Sequence, residues 1–252
     1  MQPRATHNRA NPQVYGPDLA VRGARGGVRT HTPFRKGGFK PPASANSATR
    51  AIDGPQPALF TPKRYWCTFD SMSQEVIDRY THLVNQFDAR VQAASAESWS
   101  NPAPCEGWTA TDVVSHVAGA TNRIAANLTG GEPADFDAAD PVSSWNAARD
   151  RGLAAVASAD LSQTVQGPFG PQPAEQVIGR LMCTDVLVHT WDLARAVGGD
   201  EQLDQDAVAS AYSGLKPMDA MIRMPGVFGP KIDAPEGADL QTEFLHFLGR
   251  QV

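Results

Sequence analysis

The sequence predicts an all-α fold, a four-helix bundle with a short C-terminal extension and a disordered N-terminal segment. Three observations carry this reading. From Met72 onward, apolar residues recur every three to four positions in long runs, the period of helices with one buried face. Capping residues, prolines or paired glycines bound these runs. Residues 1–71, in contrast, show no sustained helical or strand period.

The two parts also differ in charge. Residues 1–70 hold 11 Lys and Arg against 3 Asp and Glu, with 9 of the 20 prolines, whereas residues 71–252 hold 11 basic and 24 acidic residues. A segment of the first composition buries too little apolar surface to offset the entropy of ordering, so residues 1–71 are expected to be a disordered basic segment. Nucleic-acid binding or targeting by it would call for aromatic interleaving, an amphipathic stripe or an apolar core, and it has none of them. Its stretch Gly27–Ala45 resembles peptides made when non-coding sequence is translated, which makes a mis-assigned start the alternative to a disordered tail. Residues 72–252 are the expected folded domain.

Within that domain the first helix runs from about Ser73 to Glu97, with Val76, Tyr80, Leu83, Val84, Phe87 and Val91 on one face. Pro102 and Pro104 interrupt it. Thr109 is a good N-cap for the second helix, and Asp112 three residues on completes a variant capping box. That helix continues through Val113, Val117, Ala120 and Ile124 and stops at Gly130-Gly131. Asp140 followed by Pro141 opens the third helix, which passes Trp145 and ends near Ala159. The linker Gly167–Pro171 excludes helix. Pro173 opens the fourth helix, which ends at Gly198-Gly199. Beyond the bundle, a helix over Asp204–Met224 broken near Pro217, an extended Gly226–Asp233 and a closing helix over Asp239–Leu248 are expected.

The fourth helix carries the chemistry. Asp185 and His189 stand four apart, so their side chains leave one face a turn apart and can share a divalent cation. At 100° per residue they fall in a stripe with Ile178, Leu181, Met182, Asp192, Leu193 and Ala196, inside the apolar face. Ionisable groups turned toward a core need a partner. A metal is one such partner, and a plain Asp–His hydrogen bond is another. The best third ligand is His116 on the second helix, at the edge of the Val113–Val117–Ala120 stripe. Two imidazoles and a carboxylate suit Zn²⁺ and leave positions open for water or substrate, although nickel, iron and manganese also accept such a set. Asp112, Arg123 and Asn127 lie near His116 by helical angle. Arg123 is a candidate catalytic residue, as a rim anchor for an anionic substrate, and Asp192 is another, as a group that orients an imidazole.

The remaining conspicuous residues read as structural. His82 and His246 are single histidines on half-apolar helices, while His7 and His31 belong to the basic segment. Trp108, Trp145 and Trp191 are core or rim packing. Cys183 points away from the Asp185–His189 direction and Cys105 lacks a paired base, so both read as small packing residues. Three cysteines are too few and too scattered for a disulfide framework, which suits a cytoplasmic protein, as does the absence of a secretory hydrophobic region. No apolar run approaches a membrane span. The expected partner is a small-molecule substrate, with no nucleic acid and no membrane; the oligomeric state, monomer or homodimer, stays open.

Four motifs carry a resemblance: Pro104-Cys-Glu-Gly-Trp108, Thr111-Asp-Val-Val-Ser-His-Val117, Asp185-Val-Leu-Val-His-Thr-Trp-Asp-Leu-Ala-Arg-Ala196 and Leu248-Gly-Arg250. From Met72 onward the chain resembles actinobacterial metal-binding proteins of the DinB-like superfamily, related to the N-terminal domain of mycothiol-dependent maleylpyruvate isomerase. The resemblance implies a DinB-like four-helix bundle and metal ligands at His116, Asp185 and His189. It also implies mycothiol as a cosubstrate. The isomerase itself carries Glu where this chain has Asp185, and a larger C-terminal domain. The activity expected is therefore zinc- and thiol-dependent transfer or isomerisation on a small electrophile, rather than maleylpyruvate isomerisation as such. The alternative is a non-catalytic metal-binding or stress-response bundle.

Overall fold

A computed structural model of the 252-residue chain describes residues 69–252 apart from 168 and 224–226. The expected disorder of the basic segment, the alternative start, His7, His31 and Cys67 lie outside the described residues.

Helix α1, Phe69–Ala93, begins three residues before Met72 and buries Tyr80, Leu83, Val84, Phe87 and Val91. It ends earlier than the sequence predicts: a separate 3-10 turn, Ala96–Ser100, follows an extended Ser95. Helix α2 spans Ala110–Thr129 and opens with the expected capping box, Thr109 and Asp112 satisfying each other's backbone amides. It closes on Gly130 in the left-handed conformation at φ 72°. Helix α3, Pro141–Ser158, is capped by Asp140 with proline in the first turn.

The linker after α3 is not a plain loop. Thr164–Gly167 (β1) and Gly170–Pro173 (β2) pair antiparallel as a short hairpin. The fourth helix, α4, is continuous through three stretches: an α-helical turn Ala174–Gln176, a π-helical stretch Val177–Met182 and an α-helical stretch Cys183–Val197. The wider π turn offsets the residues on either side of it, so the regular 100° wheel does not carry through. The expected single apolar stripe needs correction for a second reason. From Cys183 to Ala196 every residue is buried except half-buried Asp185 and exposed Arg195. Over Cys183–Ala196 helix α4 is covered on nearly all sides, so His189 and Asp192 are enclosed although they differ in direction.

The helices α1 and α2 each pack along both α3 and α4, so α1 and α2 occupy opposite corners of the bundle, as do α3 and α4. This arrangement sets the α2 face carrying His116 against the α4 face carrying Asp185 and His189. On the far side, Gly152 of α3 meets α2 so closely that a β-carbon there would overlap the Thr121 side chain. Asp88 of α1 accepts from Trp145 Nε1 at 2.9 Å and Arg149 Nη1 at 2.7 Å, tying α1 to α3.

The C-terminal extension follows the predicted order. Helix α5, Gln205–Leu215, leads through a 3-10 turn at Lys216–Met218 to α6, Asp219–Ile222, the interruption falling at Pro217 as expected. Residues 227–235 carry no regular structure, and α7, Leu240–Phe247, closes the fold behind an Asp239 cap. Within the extension, α5 packs on both α4 and α7.

Candidate metal centre

The Oδ1 of Asp185 lies between two imidazoles, 3.3 Å from His116 Nε2 and 3.5 Å from His189 Nε2. One ligand atom from each of these residues falls within 4.8 Å of the other two, so the three side chains can hold one metal ion. Their side chains keep limited solvent contact, 15% for His116, 15% for Asp185 and 7% for His189. Trp108 covers its flank, stacking on His189 at 5.7 Å and tilted against His116 at 5.1 Å. The loop Pro104–Trp108 brings that ring into place. Ala103 N donates to Trp108 O at 2.8 Å and Trp108 N to Cys105 O at 3.0 Å, while Gly107 takes a φ of 77°.

The distances are also those expected between ligands of a shared cation. Charge-assisted contacts between imidazolium and carboxylate settle at about 2.7–2.9 Å. Ligand atoms at about 2.0–2.2 Å from a tetrahedral zinc stand roughly 3.3–3.6 Å from one another. The donor set, two imidazole nitrogens and one carboxylate oxygen, is one that zinc accepts.

Behind His189 lies a second layer. Asp192, fully buried, accepts from His189 Nδ1 at 2.9 Å, which leaves Nε2 facing Asp185. The same carboxylate takes Arg250 Nε at 3.1 Å on one oxygen and Arg250 Nη2 at 2.8 Å on the other. Cys105 Sγ donates to it at 3.3 Å and receives Arg250 Nη2 at 3.4 Å. Although Cys105, His189 and Asp192 also stand close enough to hold a metal, the Asp192 oxygens are already engaged by Arg250 and His189.

The electrostatics are those of a coupled cluster. Burial works against the Asp185 carboxylate, but the flanking His116 and His189 hold its pKa well below the usual range. Burial likewise opposes charge on Asp192, and Arg250 with His189 overcomes it, holding that carboxylate low as well. For His189, burial disfavours the imidazolium, yet Asp185, Asp192 and Cys105 together raise its pKa well above 6.5. Both ring nitrogens of His189 meet carboxylates, Nδ1 that of Asp192 and Nε2 that of Asp185.

The structure therefore brings His116, Asp185, His189 and Asp192 together. Arg123 lies half-buried on α2, its guanidinium folded back over Gly119, where a β-carbon would lie 3.2 Å from Nη1. Asp112 belongs to the helix cap, and Asn127 donates to Gln166 O of the hairpin at 3.4 Å. His82 bonds Asp204 Oδ2 at 3.0 Å and His246 bonds Asp233 O at 3.1 Å, both structural as expected. Trp145 and Trp191 are core, and burial pushes the Cys183 thiol up to about 12, leaving it inert. The reading of Cys105 as ordinary packing needs correction, because its sulfur sits against both Asp192 and Arg250. Arg250 was missed as a site residue. Its signal is indirect: a second carboxylate inside an apolar helix face demands a cation, and Arg250 ends the Leu248-Gly-Arg250 motif.

The family described as mycothiol maleylpyruvate isomerase N-terminal domain matches residues 80–194. Two Mycobacterium tuberculosis proteins, uncharacterized protein MT0763 of strain CDC 1551 / Oshkosh and uncharacterized protein Rv0738 of strain H37Rv, are each 30% identical over 181 residues. Each alignment covers 66% of this chain and 92% of the relative. The chain belongs to this family. Its helical bundle is the DinB-like fold that the motifs imply. The matched region encloses Cys105, Trp108, His116, Asp185, His189 and Asp192, and stops well before Arg250. No solved structure matches the chain.

Proposed function

We propose that this protein binds a divalent metal, zinc being the ion its donor set suits, through His116, Asp185 and His189. With that metal it uses a mycothiol-type low-molecular-weight thiol for transfer or isomerisation on a small electrophile. The observation that carries the reading is the 3.3 and 3.5 Å spacing of two imidazole nitrogens about one carboxylate oxygen. Membership of a mycothiol-related family supports the thiol. When bound, the metal supplies a Lewis acid that lowers the pKa of a thiol, so that thiolate is present at neutral pH.

The chain's own residues prepare the site. Asp192 accepts a hydrogen bond from Nδ1–H of His189 and so directs Nε2 outward. Trp108 shields one flank of the histidines from water. Arg123, on the same helix as His116, is assigned to anchor a carboxylate of the substrate. Partners are small molecules, because the acidic balance of residues 71–252 repels nucleic acid. Among the described residues no helix is long and apolar enough to cross a membrane. A cytoplasmic location suits the free thiols of Cys105 and Cys183.

A conjugation assay tests the activity. Zinc-loaded protein is incubated with mycothiol and small electrophiles that carry a carboxylate, with and without a chelator. Turnover that the chelator and His116→Ala both abolish is expected. Stoichiometric metal with no turnover for any thiol would leave a non-catalytic metal-binding protein instead.

A further inference from the structure

We infer that Arg250 is a positioning residue for the metal site: it clamps the Asp192 carboxylate, which holds the His189 ring with Nε2 turned to the cation. The inference rests on the metal reading of His116, Asp185 and His189.

Asp192 is fully buried, and Arg250 touches both of its oxygens, Nε to Oδ1 at 3.1 Å and Nη2 to Oδ2 at 2.8 Å. This forked contact fixes the plane of the carboxylate as well as its charge. One oxygen then has a set direction toward His189 Nδ1, at 2.9 Å. Without the guanidinium fork nothing fixes the plane of the carboxylate, and it can turn away from His189. The Nδ1–H would then lose its set acceptor and the ring its orientation.

Arg250 is itself held from several sides. Its backbone amide donates to Leu245 O at 2.9 Å, and its Nη1 to Leu248 O at 3.1 Å. The preceding Gly249 has φ 80°, and a β-carbon there would lie 2.7 Å from Pro230 O. Glycine is thus required for the turn that sends the chain back into the bundle. Arg250 is only 10% exposed, and the family match ends at residue 194. The bundle supplies the metal ligands, and the C-terminal extension supplies the counter-charge that orients one of them.

The test uses the full chain with Arg250→Ala and Arg250→Lys, and with exposed Arg195→Ala as control. Two quantities are read: the zinc dissociation constant by competition with a chromophoric chelator, and the downfield proton NMR signal of His189 Nδ1–H in metal-free protein. Circular dichroism checks the fold. Arg250→Ala is expected to weaken zinc binding about tenfold or more and to lose the His189 signal. Arg250→Lys, a point charge without the fork, falls between Arg250→Ala and wild type. Arg195→Ala matches wild type.

A folded Arg250→Ala protein that keeps wild-type affinity and the His189 signal overturns the inference. If Arg250→Ala does not fold, Arg250→Lys decides: identity with wild type in both readouts overturns the clamp, and loss in both supports it. If wild type itself binds no zinc, the metal reading fails. The NMR signal still tests whether Arg250 orders His189, its loss supporting the clamp and its retention overturning it.

Discussion

A buried histidine between two carboxylates has a defined pH signature. Asp185 and Asp192 raise the pKa of His189 above 6.5 in the metal-free fold, so protons compete with the metal for Nε2. Zinc affinity should therefore rise with pH through 6.5 and above, as measured by chelator competition. For metal-free stability the same shift has the opposite sense. The folded pKa exceeds the unfolded one, so the His189 contribution is complete below about 6.5 and is lost as pH rises through the folded value. Asp185 and Asp192 have depressed values, and their contribution is present above 3.8 and lost as pH falls. Thermal melts of metal-free protein should accordingly show Tm falling from pH 6 toward pH 9; a rise over that range contradicts the arrangement. Asp192→Asn should weaken zinc binding by about 10- to 100-fold without removing a ligand. His116, Asp185, His189 and Asp192 were legible in the sequence because helical geometry alone relates three of them and an apolar stripe presents the fourth. Arg250 and Cys105 were not, since they reach Asp192 across 58 and 87 residues of chain, distances at which no local period operates.

Among the elements, α2 and α3 were readable to within a residue or two because their caps are written locally, in Thr109 with Asp112 and in Asp140 with Pro141. Removing the first cap, with Thr109→Ala, should cost about 1 kcal/mol in chemical denaturation, because the Asp112 amide at the start of the helix that carries His116 loses its acceptor. The hairpin β1–β2 and the π stretch of α4 left no such trace. Four-residue strands rich in Gly, Pro and Gln have no distinctive pattern, and a π turn is a response to packing around a central helix. The close approach of α2 and α3 at Gly152 is likewise tertiary. Gly152→Ala should destabilise the fold by about 1–3 kcal/mol, because α3 must shift away from Thr121. Metal content should stay at the wild-type level, since Gly152 lies on the α3 side of α2 rather than the α4 side.

At the scale of the molecule, the bundle and its extension act on one site. Helix α4 packs against α1, α2 and α5, so the two carboxylates turned inward on it persist only with partners: two imidazoles around Asp185, and Arg250 with His189 around Asp192. A cation bound by the folded state and not by the unfolded chain stabilises by mass action, about 2.7 kcal/mol at a hundredfold excess over Kd. Zinc should therefore raise the Tm of chelator-treated wild type and leave that of His189→Ala unchanged, as read by differential scanning calorimetry. The central claim is that His116, Asp185 and His189 form one metal centre, and metal content tests it most directly. Protein purified without added metal, and chelator-treated protein reloaded with zinc, are measured by elemental mass spectrometry beside His116→Ala, Asp185→Asn and His189→Ala. About one divalent ion per chain in wild type, with far less in each variant, is predicted. No stoichiometric metal in wild type, or wild-type content in all three variants, would contradict the claim.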